Sequence, residues 1–264
     1  MTQTNNNDAA VTAAAAAQAA PARSNGIYRN LVLLDRKRHA GKRVKPVNDW
    51  LFARDLNAVP LTTIEFAEVA REFPIGFIPA PPDANGKARV APVVMLGLRE
   101  RQNLVIGDDG RWGGRSLPAV LRRYPFAYVR TQPEQLSLVI DEAYEGLNDS
   151  EGELLLTEAG EPTDYLQSVM RFLDRFETEQ QRTEALCERL VALNLLRGAE
   201  IKGELANGEH INATGFFMVD EEKLAKLPDA DVLALHRSGA LALLHAHLVS
   251  MGQFNALAQR LGAR

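Results

Sequence analysis

Apolar positions are grouped in two ways along this chain, and the change of pattern divides it. In the first part they form short runs broken by Pro, Gly, Asn and Asp. Residues 27–34 are a short apolar run with strand character, leading into the basic stretch 29–45. Thr62 and Glu65 have the spacing of a capping box, which predicts a helix with a core face of Ile64, Phe66, Ala67, Val69, Ala70 and Phe73, ended by Pro74. Residues 75–78 and 90–98 read as strands, the second as a central one, with 102–106 pairing to it as a hairpin. Asp108-Asp109-Gly110 is a turn signal. Residues 117–124 predict a short helix with Pro118 in its first turn, where a missing N–H does no harm, and 126–130 and 136–140 predict two more strands.

Beyond Pro162 the period becomes helical. Leu166, Val169, Met170, Leu173 and Phe176 recur at three and four, and the seam resumes at Cys187 and Leu190 after polar Gln180 and Thr183. One long helix over 162–196, or two joined near Thr178, both satisfy that pattern. Strands at 201–205 and 210–219 flank Asn207-Gly208, a pair suited to a tight turn because both central positions need positive φ. Asp220 is placed to cap a short helix, and Pro228-Asp229 to start a long C-terminal one. Strands first, long helices last and one inserted hairpin make an α+β class; no regular strand–helix alternation supports a doubly wound sheet. The predicted organisation is a disordered Ala-rich tail over 1–24 and a single domain over 25–264.

Composition narrows the function classes. Of 264 residues, 46% are hydrophobic and 24% charged, so the chain has ordinary globular usage. Thirty Lys and Arg against 34 Asp and Glu leave a formal charge of −4, which argues against a general nucleic-acid or anionic-membrane binder. Cys187 is the only cysteine, so neither an internal disulfide nor a cysteine zinc site is available. The first lysine or arginine is Arg23 and the run before it is alanine, unlike a secretory signal. The most apolar stretch, 232–251, carries His236, Arg237, His245 and His247, too many costly groups for a lipid span. The expected location is therefore the cytoplasm, with association with the cell envelope as the alternative.

Residue chemistry offers no convergent catalytic set, metal site or cofactor motif. His245 and His247 stand two apart, on nearly opposite sides of a helix, and cannot chelate one metal. Cys187 lies on a helix seam near Glu184 and Glu188, which oppose a thiolate. Arg36, Arg38, His39 and Arg43 invite an anion contact, against the alternative of an edge strand guarded by cations. The densest polar–aromatic region supplies Arg111, Trp112, Arg115, Arg122, Arg123 and Tyr124, with Asp141 as a further candidate; Trp and Arg are the residue types of binding hot spots. A tight hairpin with a Trp lid on the core, and arginines paired to carbonyls or to Asp141 and Glu142, is the structural alternative.

These segments carry a resemblance. Asn103-Leu104-Val105, Asp109-Gly110-Arg111-Trp112, Leu117-Pro118-Ala119 and Arg122-Arg123-Tyr124-Pro125-Phe126 resemble the SapC family of bacterial proteins. So do Pro60-Leu61-Thr62, Phe73-Pro74-Ile75, Gly97-Leu98-Arg99, Thr214-Gly215-Phe216, Val219-Asp220-Glu221-Glu222-Lys223-Leu224 and His247-Leu248 with Ser250, so that the similarity runs over about 27–262. Val105 stands where the family pattern usually has Phe. The family is distinct from a peptide-transport permease of the same name. The resemblance implies a link to surface-layer gene clusters, to TonB-dependent outer-membrane receptors and to tryptophan-halogenase-like proteins, and it carries over no catalytic residue and no cofactor. The leading expectation is a soluble, non-catalytic accessory or binding protein with an unidentified protein or small-molecule partner. An enzyme modifying a small molecule or an amino acid in a halogenase-associated pathway, and an oligomeric scaffold, are the alternatives.

Overall fold

The computed structural model describes residues 26–83, 85–132, 135–204 and 208–263. The expected tail, 1–24, and Asn207 of the expected turn lie outside the described residues. The class is α+β, with three antiparallel sheets. The chain divides into two compact units, Met1–Val47 with Arg123–Asp174, and Asn48–Arg122 with Arg175–Arg264.

In the first unit β1 (Leu31–Leu33) is the edge of a sheet whose order is β1-β7-β6. Strands β6 (Phe126–Gln132) and β7 (Gln135–Asp141) pair in register Phe126↔Ile140, and Leu31 lies opposite Asp141. A second small sheet sets β2 (Arg43–Val44) between β8 (Leu147–Asn148) and β9 (Glu153–Leu154). Val44, Phe126, Ile140, Leu155 and Leu156 bury their side chains with Leu166 and Leu173, seven residues apart on one face of α3 (Asp164–Ala192). Burial of each such Leu or Phe contributes roughly 1.5–3 kcal/mol.

The second unit holds the remainder of α3 and a five-stranded sheet, β10-β11-β4-β5-β3. Strand β3 is Ala58–Pro60, β4 Ile75–Ala80, β5 Arg89–Met95, β10 Leu196–Glu204 and β11 His210–Val219. Strand β11 joins β4 at one pair, Phe217↔Phe77, and Gly76 beside it has no room for a side chain to spare, since a Cβ would stand 3.1 Å from the Phe216 ring. Two buried hydrogen bonds tie helix α6 (Ala240–Ser250) to this sheet. Ser250 Oγ accepts the Ile75 N–H at 2.9 Å, and His247 Nε2 accepts the Val219 N–H at 3.0 Å. Helix α7 (Phe254–Gly262) sends Phe254, Leu257 and Leu261 into a core with Met95, Leu98, Leu104 and Phe216.

Several expectations are corrected by packing. The capping box is present, with Glu65 accepting both the N–H and the hydroxyl of Thr62. It opens a 3-10 turn (Thr63–Glu65) and a single-turn helix α1 (Phe66–Val69), and Ile64 and Ala67 point outward. Residues 102–106 form no strand paired to β5, which is already flanked by β4 and β3; the expected hairpin is reduced to a backbone bond from the Leu104 N–H to the Leu96 carbonyl at 2.7 Å. The Pro118 helix is the short α2 (Ala119–Arg122), and the 162–196 pattern is one helix, α3. The short helix capped by Asp220 is α4 (Glu221–Ala225). The long C-terminal helix is interrupted: α5 (Asp229–Arg237) ends at Gly239, whose φ of +76° no helix interior tolerates, and the chain turns by 89° into α6 and α7. No single helix among the described residues is long and apolar enough to cross a membrane.

Candidate functional site

Three glutamates of one short segment organise the region around Trp112. Glu65 Oε1 accepts the Ala119 N–H at 2.7 Å, at the start of α2. Glu68 Oε1 takes the Ser116 hydroxyl at 3.3 Å. Glu72 Oε2 takes the Arg115 and Ser116 N–H groups at 2.8 and 3.1 Å. The spacing of i, i+3 and i+7 sets all three on one side of the turn-and-helix segment that the capping box starts. Within the 112–119 stretch the backbone N–H groups of Arg115, Ser116 and Ala119 are thus satisfied by carboxylates.

Trp112 closes the inner side of this loop. Its Nε1 donates to the Ser116 carbonyl at 3.1 Å, and its ring meets the edges of Phe73 and Trp50 at 6.2 and 6.4 Å. Close approach requires glycine next to it, since a Cβ at Gly114 would stand 2.8 Å from both Phe73 and the indole nitrogen. From α7, Arg260 reaches the same place. Its guanidinium is 3.5 Å from Glu72 Oε1, donates to the Gly113 carbonyl at 3.4 Å and lies 5.8 Å over the Phe73 ring.

Between these elements runs an open groove of about 600 Å³. Glu68, Arg71, Glu72, Gly113, Arg115 and Ser116 line one part of it, and Gln253, Ala256 and Arg260 the other. The guanidinium groups of Arg71 and Arg115 are exposed and have no hydrogen-bond or ion-pair partner among the described residues. Chemically the groove offers planar cationic donors beside carboxylates that are already engaged. It is suited to holding an anionic group.

The other expected site residues lie elsewhere. Arg111 is exposed and 3.5 Å from Asp109, and Arg122 is exposed at the end of α2. Arg123, Tyr124 and Asp141 belong to the first unit. Asp141 is wholly buried: its carboxylate accepts the N–H groups of Arg29, Asn30 and Ala143 at 2.9, 2.8 and 3.1 Å, and the hydroxyl of Tyr124. Burial and that carboxylate hold the Tyr124 phenol well above its ordinary pKa. Tyr28 packs on Tyr124 at 5.7 Å, donates to the Phe126 carbonyl at 2.9 Å and carries the Arg123 guanidinium 5.9 Å above its ring. This cluster fastens the first described residues to the sheet. It is interior, and a ligand touching Asp141 would have to displace the protein's own backbone.

The basic stretch is likewise engaged. Arg36 pairs with Glu161 at 3.3 Å, Arg38 and buried His39 share the Glu142 carboxylate, and Arg43 donates to the Gly152 carbonyl at 2.8 Å. His39 Nδ1 accepts the Asp35 N–H at 2.9 Å. Cys187 is buried, its thiol pushed up to about 12 by burial and by Glu184. His245 is exposed and His247 buried, as opposite helix faces require. Among the described residues no three metal-ligating side chains gather.

Sequence reasoning reached Trp112 and Arg115 but not Glu68, Arg71, Glu72, Gln253 or Arg260. A faint signal existed in Glu65, Glu68 and Glu72, whose spacing puts them on one helical face. Nothing in the sequence joins that face to a loop 43 residues later, the separation of Glu72 and Arg115, or to α7.

Comparison with curated proteins and with solved structures returns no match. A family model does match: it is SapC, it spans residues 34–257, and it therefore takes in the three glutamates, the Trp112 loop and most of the groove, so the chain belongs to the SapC family.

Proposed function

We propose that this chain is a soluble, non-catalytic accessory or binding protein that takes a ligand or protein partner in the groove beside Trp112. The observation that carries the reading is the pair of guanidinium groups, Arg71 and Arg115, held on an open groove without partners of their own among the described residues. Two such arginines, one on a loop braced from behind by three carboxylates and one on the segment that carries those carboxylates, suit recognition, since the backbone is held while the donors are free. The same groove holds carboxylates bound to backbone N–H groups and to the Ser116 hydroxyl, which brace the loop from within the protein. The surface-layer and TonB-receptor association implied by the family resemblance supplies the proposed setting, with receptor-system or halogenase-like proteins as partners. The proposed location is the cytoplasm, which cell fractionation tests.

The reading is tested by co-purification. Full-length protein and a Trp112→Ala/Arg115→Ala double variant are used as baits in extracts of the source cells, and retained proteins and small molecules are identified by mass spectrometry. Loss of specific species from the variant is expected. Retention of the same species in the same amounts by the variant overturns the assignment of the groove.

A further inference from the structure

We infer that the groove recognises an acidic peptide segment, with Arg71 and Arg115 reading two of its carboxylates. This deepens the proposed binding function and rests on it. The argument is one of charge complementarity. Arg71, Arg115 and Arg260 face the groove against Glu68 and Glu72. Arg260 and Glu72 neutralise each other at 3.5 Å, and Glu68, which accepts the Ser116 hydroxyl, leaves one carboxylate charge against the two remaining arginines. The groove therefore keeps an excess of one positive charge, and its two guanidiniums without partners among the described residues sit on different elements, Arg71 just beyond α1 and Arg115 on the loop.

The chain itself shows which anion the surroundings accept. Glu72 lies in a cradle made by the N–H groups of Arg115 and Ser116 and by Arg260, so a carboxylate is the native occupant of the adjoining donors. Those N–H groups are the ones a phosphate would need, and they are taken. Glu68, whose charge has no cationic partner among the described residues, also repels a compact dianion more strongly than a single carboxylate. A groove of about 600 Å³ is far larger than one anionic group, and its open form with Gln253, Ala256 and Gly113 along it suits an extended segment. Gln253 adds an amide that can both donate to and accept from a peptide backbone.

The test is calorimetric titration of the full chain with a capped peptide of alternating Glu and Gly, with the same peptide carrying Gln for Glu, and with inorganic phosphate. The acidic peptide is expected to bind, more weakly as salt rises, and the Gln peptide to bind at least about tenfold more weakly, because charge-assisted hydrogen bonds are lost. Arg71→Ala and Arg115→Ala are each expected to weaken binding about tenfold, while Arg111→Ala, outside the groove, changes it by less than about twofold. Both groove arginines are exposed, so circular dichroism of the variants should match the parent. Equal binding of the two peptides, indifference to both groove substitutions, or binding of phosphate without the acidic peptide overturns the inference. A failure of the peptide with a co-purified species still lost from the Trp112→Ala/Arg115→Ala protein overturns the inference alone. A failure of both removes the binding function of the groove as well.

Discussion

The Glu72 carboxylate accepts the backbone N–H of Arg115 at 2.8 Å, so one residue of the binding loop is held by its main chain while its side chain stays free. This division of labour organises the whole 112–119 stretch. Glu65, Glu68 and Glu72 take three of its N–H groups and the Ser116 hydroxyl, Trp112 seals it against Phe73, and the Arg115 side chain faces solvent.

Replacement of Glu72 should therefore loosen the loop without dismantling the fold. Glu72→Ala leaves the N–H groups of Arg115 and Ser116 without their acceptor and Arg260 without its partner. A loss of about 1–2 kcal/mol in urea unfolding is expected, with Glu72→Gln retaining part of it because one amide oxygen can still accept. Tryptophan emission should shift to the red in the Ala variant as Trp112 gains access to water. An unchanged unfolding midpoint and spectrum would show that the glutamate does not brace the loop.

The anchor in the other unit should be more sensitive. Asp141→Ala strips the acceptor from three N–H groups and from the Tyr124 hydroxyl in a fully buried place. A buried donor without a partner costs about 1–3 kcal/mol, so a loss above about 3 kcal/mol is expected in denaturant titration. Tyr28→Phe removes only the bond to the Phe126 carbonyl and should cost about 1 kcal/mol.

Acid should weaken the second unit through His247. Burial lowers its pKa from 6.5 to about 4, so between those values the unfolded chain binds a proton that the folded chain refuses. The resulting stability is complete above pH 6.5 and is lost as pH falls toward 4, by about 3 kcal/mol in all. His247→Gln, which keeps an acceptor for the Val219 N–H, should flatten that part of the stability profile. An unaltered slope in the variant would show that another group is responsible.

Cys187 should be inert while the protein is folded. With its thiol pushed up to about 12, a thiol-specific disulfide reagent at pH 8 should react over hours and not seconds, and become fast once denaturant exposes the helix seam. Rapid labelling of the native protein would contradict the burial of Cys187.

Local chemistry made much of this architecture legible in advance. The Thr62–Glu65 capping box, the Asp109-Gly110 turn, the Asp220 cap and the paired strands around 126–140 are set by residues a few positions apart, and they form where that spacing places them. The same holds for the long α3 helix, whose apolar stripe continues past Gln180 and Thr183 because Thr183 turns inward to accept the Thr63 N–H at 2.9 Å. Period and capping act over one or two turns, so the sequence alone determined these elements and their order.

Tertiary structure decided what those elements are for. Whether Ile64 or Phe66 faces the core, which strands flank β5, and where Gly239 ends a helix depend on the shape of surfaces far away in the chain. The site depends on them most of all. Trp112 and Arg115 were visible as residue types, but the groove exists only because Glu72 and Arg260, 188 residues apart, meet at 3.5 Å across a loop that belongs to neither. Asp141 shows the converse, for a carboxylate that reads as exposed chemistry in sequence is enclosed by backbone N–H groups once the strands pair. A side chain's type is a local property, whereas its partners and its access to water are set by chain segments that only the fold brings together.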